Sequence, residues 1–397
     1  MGNKRVLIIS KSLTSGGAER VAANLATQLN TGNTKAWLLV LDGSVTTYST
    51  KAPLIDLQMP WKKTFIGKIG WYLKVTRLIA KYKKDLNITH SISFLSEPDL
   101  LNILTKHYCK TIVSVRNNRS FLNRSKLNKI KDKFIFNSAD RIVSLSQGVK
   151  EDLIDFYGTK SDKISVIYNA CDMNRIKIQA ECRPKEADDR IFNNGKTVIT
   201  AGRLTGQKGH WHLIRSFKEV IKQIPDAKLL ILGQGEKEKY LHQLIKDLNL
   251  SDNVKLIGYH KNPYYYLKKS DLFVFSSIFE GFGNILLEAM ACDLPIISTD
   301  CMVGPRELLA PNTSYKDCIK DSILEAENGV LIPVCDGKHY ESGDSVTAEE
   351  IIMAEAIVKL LSNEELRKKY KYQSNIRIKD FTEEKIVEQW NSVINSL

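Results

Sequence analysis

The chain reads as an α/β protein built from two Rossmann-like domains, each a parallel sheet wrapped by helices. Three observations predict this. Short apolar runs alternate with longer stretches of helical periodicity along the sequence, the signature of strand–helix–strand repetition. Several runs are continuously apolar instead of alternating, as strands covered on both faces require. The alternation breaks once, between 172 and 196, where CRPKEADDRIFNNGK carries no periodicity.

In chain order, the first strands are expected at Val6–Ser10, Ala36–Leu41, Ile88–Phe94, Thr111–Val115, Arg141–Leu145 and Ile164–Ile167. The second set is expected at Thr197–Ala201, Lys228–Leu232, Val254–Ile257, Leu272–Phe275, Pro295–Thr299 and Gly329–Ile332. Helical spacing fills the intervals, as at Ala18–Leu29, His212–Gln223, Glu236–Leu248 and Ala348–Leu361. The expected domains are therefore 1–172 and 196–380, joined by a linker at 173–195. A last helix, 381–397, is expected to pack back on the first domain. In such folds ligands bind at the carboxyl ends of the strands, so a cleft between two facing sheets is the expected site.

The 397 residues are 43% hydrophobic and 26% charged, which excludes a disordered chain or a small disulfide scaffold. Seven cysteines form no CxxC pair and no Cys/His cluster, the pattern of reduced thiols in a cytosolic protein. The first apolar run, Val6–Ile9, is too short for a signal peptide, and no stretch approaches the ~18 apolar residues of a membrane span. The net charge is +13, and it is uneven. Residues 1–170 hold 27 Lys+Arg against 12 Asp+Glu, the remainder 31 against 33. The first half thus calls for an anionic partner. No nucleic-acid-binding module is present, so nucleic acid is not the expected one. The first strand–helix turn, SKSLTSGGAER, lacks the G-x-G-x-x-G of a nicotinamide site.

The chemistry concentrates in 271–309, DLFVFSSIFEGFGNILLEAMACDLPIISTDCMVGPRELL. A strand runs into the glycine-bearing loop SSIFEGFG and then into a helix. The amides of Gly283, Asn284 and Ile285 open that helix, a ready phosphate site. Glu280 precedes the helix and Glu288 lies one turn inside it. Two carboxylates beside a diphosphate are expected to bind hydroxyls, of a sugar at one end and a ribose at the other. Two further strand ends contribute. AGRLTGQKGH offers Arg203 and Lys208 as phosphate cations, with His210 directly after. LGQGE offers Gly233 and Gly235 for close backbone approach.

Together these pieces resemble the retaining GT-B glycosyltransferases of the "glycosyl transferases group 1" family. The matching elements are SGGAERVAANLA at 15–26, SLSQGVKEDL at 144–153, KISVIYNACD at 163–172 and AGRLTGQKGHWHLIRSF at 201–217. LGQGE at 232–236, VKLIGY at 254–259, EGFGNILLEAMACDLPIIS at 280–298, GPREL at 304–308 and ENGVLIP at 327–333 complete them, in the family's order.

The resemblance implies a metal-independent hexosyltransferase of GT-B architecture, its two parallel sheets facing a central cleft. No cofactor is implied beyond the donor, a nucleotide sugar of the UDP-linked kind. Gly16 and Gly17 match the first-domain glycine loop, which approaches the donor phosphate and acceptor. Arg203 and Lys208 match the pair that neutralises the leaving diphosphate. Gly233 matches a donor-side glycine, and Ile257 to Tyr259 the strip that meets the base. Glu280 matches the catalytic glutamate on the transferred sugar, and Glu288 the one on the ribose. Gly283, Asn284 and Ile285 match the amides that hold sugar hydroxyls and phosphate. GPREL resembles branches that transfer galactose or N-acetylhexosamines.

One departure is informative. Many members carry a histidine after the strand at Thr111–Val115, where this chain reads VSVRNN. Arg116 and Asn117 are expected on the acceptor or phosphate side. Arginine cannot act as a base near neutral pH. The departure therefore implies front-face transfer, in which the leaving phosphate takes the acceptor proton.

The expected acceptor is a lipid-linked saccharide of bacterial surface-glycan assembly, with a soluble acceptor or a GDP-sugar donor as alternatives. Residues 62–84 form a basic amphipathic segment, with Lys68, Lys74, Arg77, Lys81 and Lys84 on one side and Phe65, Ile69, Tyr72 and Leu73 largely away from it. Residues 106–133 add Lys106, Lys110, Arg116, Arg119, Arg124, Lys126, Lys129, Lys131 and Lys133 against Asp132. Both segments are expected to rest on the anionic inner face of the cytoplasmic membrane.

Overall fold

In the computed structural model each set of apolar runs closes into its own sheet. The structure describes all residues except 1–3, 15–16, 31–33, 63, 123–124 and 193–194. The chain forms two compact units, Met1–Ala170 with Glu383–Leu397, and Cys171–Thr382.

The first unit runs β1 (Lys4–Ser10), α1 (Gly17–Gln28), β2 (Thr34–Val40), β3 (Leu54–Asp56), α2 (Phe65–Asp85), β4 (His90–Phe94) and α3 (Ser96–Leu104). It continues with β5 (Lys110–Val115), α4 (Arg119–Leu122), α5 (Lys126–Ser138), β6 (Arg141–Ser144), α6 (Gln147–Asp155) and β7 (Ile164–Val166). Its strand order is β3-β2-β1-β4-β5-β6-β7, and every pair is parallel.

The second unit runs α7 (Met173–Glu181), β8 (Thr197–Ala201), α8 (His210–Gln223), β9 (Lys228–Leu232), α9 (Glu238–Asp247), β10 (Val254–Gly258), α10 (Tyr264–Lys269) and β11 (Leu272–Phe275). Then come α11 (Asn284–Ala291), β12 (Ile296–Thr299), α12 (Pro305–Leu309), β13 (Leu324–Glu325), β14 (Val330–Ile332), α13 (Ala348–Ser362) and α14 (Glu364–Arg377). Its order, β10-β9-β8-β11-β12-β14-β13, matches the first over five strands and then exchanges the last two, because β13 lies antiparallel on the outer edge of β14. The last helix, α15 (Glu383–Asn395), belongs to the first unit.

Chain reversal at β1 puts the helices of the first unit on both faces. On one face Ala22, Ala23 and Ala26 of α1 meet Val6 and Ile8, joined by Ile386 and Trp390 of α15. On the other, Trp71, Val75 and Ile79 of α2 cover Leu7, Ile9 and Leu39. The small alanines let α1 sit close to the sheet, and removal of these side chains from water supplies most of the driving force.

Three features depart from the sequence reading. Residues 173–195, expected as a linker, belong to the second unit and carry α7. Asp172 caps that helix, accepting from the Arg175 amide at 2.9 Å, and Ile176 and Ala180 are buried. Its apolar residues Met173, Ile176, Ile178 and Ala180 do not fall on one face, and only two of them are buried, so the segment carries little helical signal. Second, Ile69 and Leu73 of α2 do not turn away from its basic side. With Ile66 they lie exposed on the face that carries Lys74, Arg77, Lys81 and Lys84. The buried stripe is instead Trp71, Val75 and Ile79. Third, Arg119 is no surface charge: it is 5% exposed and bridges Asp99 at 2.5 Å and Asp132 at 3.3 Å.

Candidate active site

The second unit gathers its motif residues at the carboxyl ends of β8, β9, β10 and β11. Two loops there are tied together. After β8, a turn at Gly206–Lys208 ends on Gly209, whose φ of 60° starts α8. After β11 comes Ser276. Its hydroxyl donates to the Lys208 carbonyl at 2.9 Å, and the Ile278 amide donates to the Gln207 carbonyl at 2.8 Å. A Cβ on Gly209 would lie 2.4 Å from the Ser276 carbonyl oxygen, so only glycine permits this approach.

The consequence is a fixed charge pair. Lys208 Nζ donates to Glu280 Oε1 at 2.5 Å, and Ser277 Oγ donates to the same oxygen at 2.9 Å. The side chains of Lys208 and Glu280 are 15% and 8% exposed. Glu280 Oε2 has no partner among the described residues. The Lys208 ammonium also lies 5.0 Å from the centre of the Phe275 ring. Arg203, one residue beyond Gly202, is exposed, and its guanidinium has no partner among the described residues.

Gly283 begins the next piece. Its φ of 82° turns the chain into α11, and no side chain caps that helix. Its first turn, at Asn284 and Ile285, is the positive end of the helix dipole, where an anion is favoured. Glu288 lies half-buried one turn further on.

The β9 and β10 ends complete the rim. Gly233, with φ 146°, donates from its amide to the Gly258 carbonyl at 2.8 Å, across a register shift in β10 at Leu256/Gly258. The bulge turns Tyr259 outward, 67% exposed, while Ile257 is half-buried. His210 sits beneath the loops, 2% exposed, with both ring nitrogens lacking a partner. Burial, helped by the charge of Lys208, pushes its imidazole down to about 3, so it is neutral at physiological pH.

The first unit holds the remaining expected residues. Gly16 lies outside the described residues, and Gly17 is the first residue of α1. Arg116 follows β5 and is tied down within its own unit. Its guanidinium donates to Asn169 Oδ1 and, at 3.4 Å, to the Ile167 carbonyl, and it lies over the Phe94 ring. Burial lowers its pKa to about 9, so it keeps its charge at neutral pH. Asn117, next in sequence, is half-buried.

Two groups were missed by sequence reading. Ser277 completes the Glu280 environment, and its place three residues before that glutamate was the available signal. Arg306, quoted only as part of GPREL, is buried and makes a forked pair with Asp300, whose Oδ2 also accepts from the Ile319 amide at 3.0 Å. It braces the loop after β12. Among the described residues no group of three or more His, Cys, Asp or Glu is placed to hold a metal ion.

Comparisons with known proteins agree with this fold. Residues 183–377 match the family described as glycosyl transferases group 1, and 15–175 match glycosyltransferase family 4. An uncharacterised glycosyltransferase of Methanocaldococcus jannaschii is 37% identical over 81% of this chain and 82% of its own. The N-acetylgalactosamine-N,N'-diacetylbacillosaminyl-diphospho-undecaprenol 4-alpha-N-acetylgalactosaminyltransferase of Campylobacter jejuni is 30% identical over 94% of this chain and 95% of its own. The crystal structure of Anabaena HepE in complex with UDP superposes with a TM-score of 0.74 at 18% identity, covering 99% of this chain and all of the other. With sequence relatives along nearly its whole length and two parallel-sheet units of matching fold, the chain belongs to the glycosyl transferases group 1 family and is a glycosyltransferase of GT-B fold.

Proposed function

We propose that the chain moves a hexose or N-acetylhexosamine from a UDP-sugar to a lipid-linked saccharide in surface-glycan assembly, retaining the donor's anomeric configuration. The observation that carries this reading is the Lys208–Glu280 pair, pinned by Ser277 beside the uncapped start of α11. Cations and amides already in place for charge that develops on a leaving diphosphate are preorganised electrostatic catalysis. Arg203, Lys208 and the α11 amides meet the diphosphate, and Glu280 Oε2 accepts from a hydroxyl of the transferred sugar. Glu288 takes the ribose, and the strip Ile257–Tyr259 with Gly233 borders the base.

The sugar C1–O bond to UDP breaks as the acceptor oxygen bonds to C1 on the same face. The acceptor proton passes to the departing phosphate oxygen, so no protein base is required. Arg116 and Asn117 border the acceptor side. The charge is met by protein groups, so no metal is required.

Two facts favour the lipid-linked acceptor. The Campylobacter relative is named for a diphospho-undecaprenol acceptor. The whole excess of positive charge lies in the first unit, 28 Lys+Arg against 15 Asp+Glu, while the second is balanced at 30 and 30. Exposed Ile66, Ile69 and Leu73 on α2, and Leu127, Ile130 and Phe134 on α5, add an apolar component among lysines. These features suit a peripheral protein on the inner face of the cytoplasmic membrane.

A donor-hydrolysis screen over UDP- and GDP-sugars, with and without chelator, tests the reading without an acceptor. One UDP-sugar should be hydrolysed, with chelator making no difference and the released sugar keeping its configuration. Glu280→Ala should lower the rate about 10²–10³-fold and leave UDP affinity nearly intact. Glu288→Ala should instead weaken UDP binding. Inversion at C1, or a Glu280→Ala rate within a few-fold of the parent, overturns the assignment.

A further inference from the structure

The first unit contains a cavity of about 290 Å³ at the ends of β1 and β2, lined by none of the residues assigned above. Trp71, Met59 and Trp61 form its apolar side, and Lys11, Asp42 and Glu97 its polar side. We propose that this cavity takes one uncharged sugar residue, stacked on Trp61, as an acceptor subsite that rejects acidic sugars. The inference rests on the glycosyltransferase reading and deepens it.

The aromatic wall is built and held. Trp71 is 3% exposed, and its indole N–H donates to the Met59 carbonyl at 2.9 Å. Trp61 meets Trp71 and Tyr72 in edge-to-face geometry, with centroids 4.9 and 5.8 Å apart, and the Lys68 ammonium lies 5.6 Å from its ring centre, yet it stays 41% exposed. A large aromatic fixed by its neighbours but open to solvent suits a ligand with one apolar face. Pyranose rings present such a face of C–H groups and a rim of hydroxyls.

The polar wall fits that rim. Glu97 has no hydrogen bond or ion pair among the described residues, and Asp42 only accepts from the Ser44 amide, at 3.1 Å. The Lys11 ammonium likewise has no partner there. Carboxylates accept strongly from hydroxyls, and an ammonium donates to ring or hydroxyl oxygens.

The local charge decides which sugars enter. Two carboxylates and one ammonium make the cavity acidic inside a unit that is otherwise strongly basic. A uronic acid, a sugar phosphate or a nucleotide would bring a further negative charge against Asp42 and Glu97. A neutral hexose or N-acetylhexosamine carries none. The volume sits at the low end for small-molecule sites, enough for one residue and too small for a nucleotide.

Saturation-transfer NMR on the full chain tests this with three probes: methyl α-glucoside, N-acetylgalactosamine and glucuronic acid. At least one neutral probe should bind, and glucuronic acid should not. Trp61→Ala should weaken the neutral probe about tenfold. Val45→Trp, which fills the cavity from a position 61% exposed, should do the same. Glu97→Gln should let glucuronic acid in. UDP affinity and donor hydrolysis should be unchanged in all three variants, which also reports that they fold. Equal binding of the neutral probe to parent, Trp61→Ala and Val45→Trp, or glucuronic acid binding the parent as well as a neutral sugar does, overturns the proposal. Loss of donor hydrolysis in the parent would fail the glycosyltransferase reading instead.

Discussion

The two units share the order of five strands, part only at the β13–β14 edge, and differ more in how their loops are made. Among the described residues the first has a single glycine at positive φ, Gly158, and the second has seven, at 195, 209, 233, 258, 283, 304 and 337. In the second unit backbone lies against backbone at the strand ends, as Gly209 does against Ser276 and Gly233 against Gly202. In the first, the equivalent ends are braced by side chains, with Arg119 clamped between Asp99 and Asp132 and Arg116 tied to Asn169. The difference teaches that topology fixes only where a ligand can sit. On the proposed reading, a diphosphate is served by a helix start and a few cations. A sugar is served by carboxylates and an aromatic ring, as in the Trp61 cavity.

The sharpest way to break this contrast is to add one methyl group in each unit. A Cβ on Gly233 would stand 1.8 Å from the Gly202 carbonyl oxygen at φ 146°. Nothing lies within 4 Å of a Cβ on Gly158, where only the φ of 69° is unfavourable. Gly233→Ala should therefore cost about 3 kcal/mol or more, and Gly158→Ala about 1 kcal/mol. Urea unfolding of both variants measures the gap. Equal losses would mean that close backbone approach is not what distinguishes the second unit.

Much of this was legible in the sequence because parallel strands are buried on both faces and announce themselves as apolar runs. The edge strands β3 and β13 were not, since three and two residues with half-exposed side chains carry no such signal. The motif loops singled out Lys208 and Glu280 separately, one for a diphosphate and one for a sugar, and the fold pairs them directly. Sequence could not show that Ser277 would share the same carboxylate oxygen, nor that Arg306 would be consumed by Asp300. Those contacts depend on distances between loops far apart in the chain. The same holds for α2: periodicity located the helix, but the sheet decided that Trp71, and not Leu73, would face inward.

Acid should separate the units next. In the second, the His210 imidazole is pushed down to about 3, and Asp293 and Glu350 are held below the usual carboxylate range by Lys268 and Asn375, and by His212 and Arg215, against the opposing effect of burial. Below about pH 6.5 the unfolded chain takes up a proton that folded His210 refuses, so stability falls as pH falls, by about 1.4 kcal/mol per pH unit down to about pH 3. The two carboxylates lose stability in the same direction at lower pH. In the first unit the effects oppose each other. His90 is pushed down to about 4 by burial, whereas burial pushes Asp99 up to about 6, so the folded state holds that proton longer and gains stability as pH falls towards 4. The second unit should therefore melt first as pH is lowered from 7 to 5. Calorimetry at several pH values measures this, and His210→Leu should flatten the slope. An unchanged slope in that variant would remove His210 as the cause.

The smallest effect concerns the charge difference itself. Each exposed basic residue near an anionic leaflet contributes about 1 kcal/mol, which is roughly fivefold in partitioning. Lys74→Glu and Lys81→Glu on α2, and Lys133→Glu on α5, should each weaken binding of the full chain to vesicles rich in phosphatidylglycerol by about that factor or somewhat more, since charge reversal adds repulsion. Lys246→Glu on α9 makes the same change in net charge on the balanced unit and should leave binding as it was. Raised salt should remove the difference between the variants, because exposed charges are screened over about 8 Å at physiological ionic strength and less above it. Binding that survives high salt would instead belong to Ile66, Ile69, Leu73 and their counterparts on α5. If Lys246→Glu weakens binding as much as Lys74→Glu, only total charge matters, and the segregation of 28 basic residues against 15 acidic ones in the first unit has no role in orienting the enzyme.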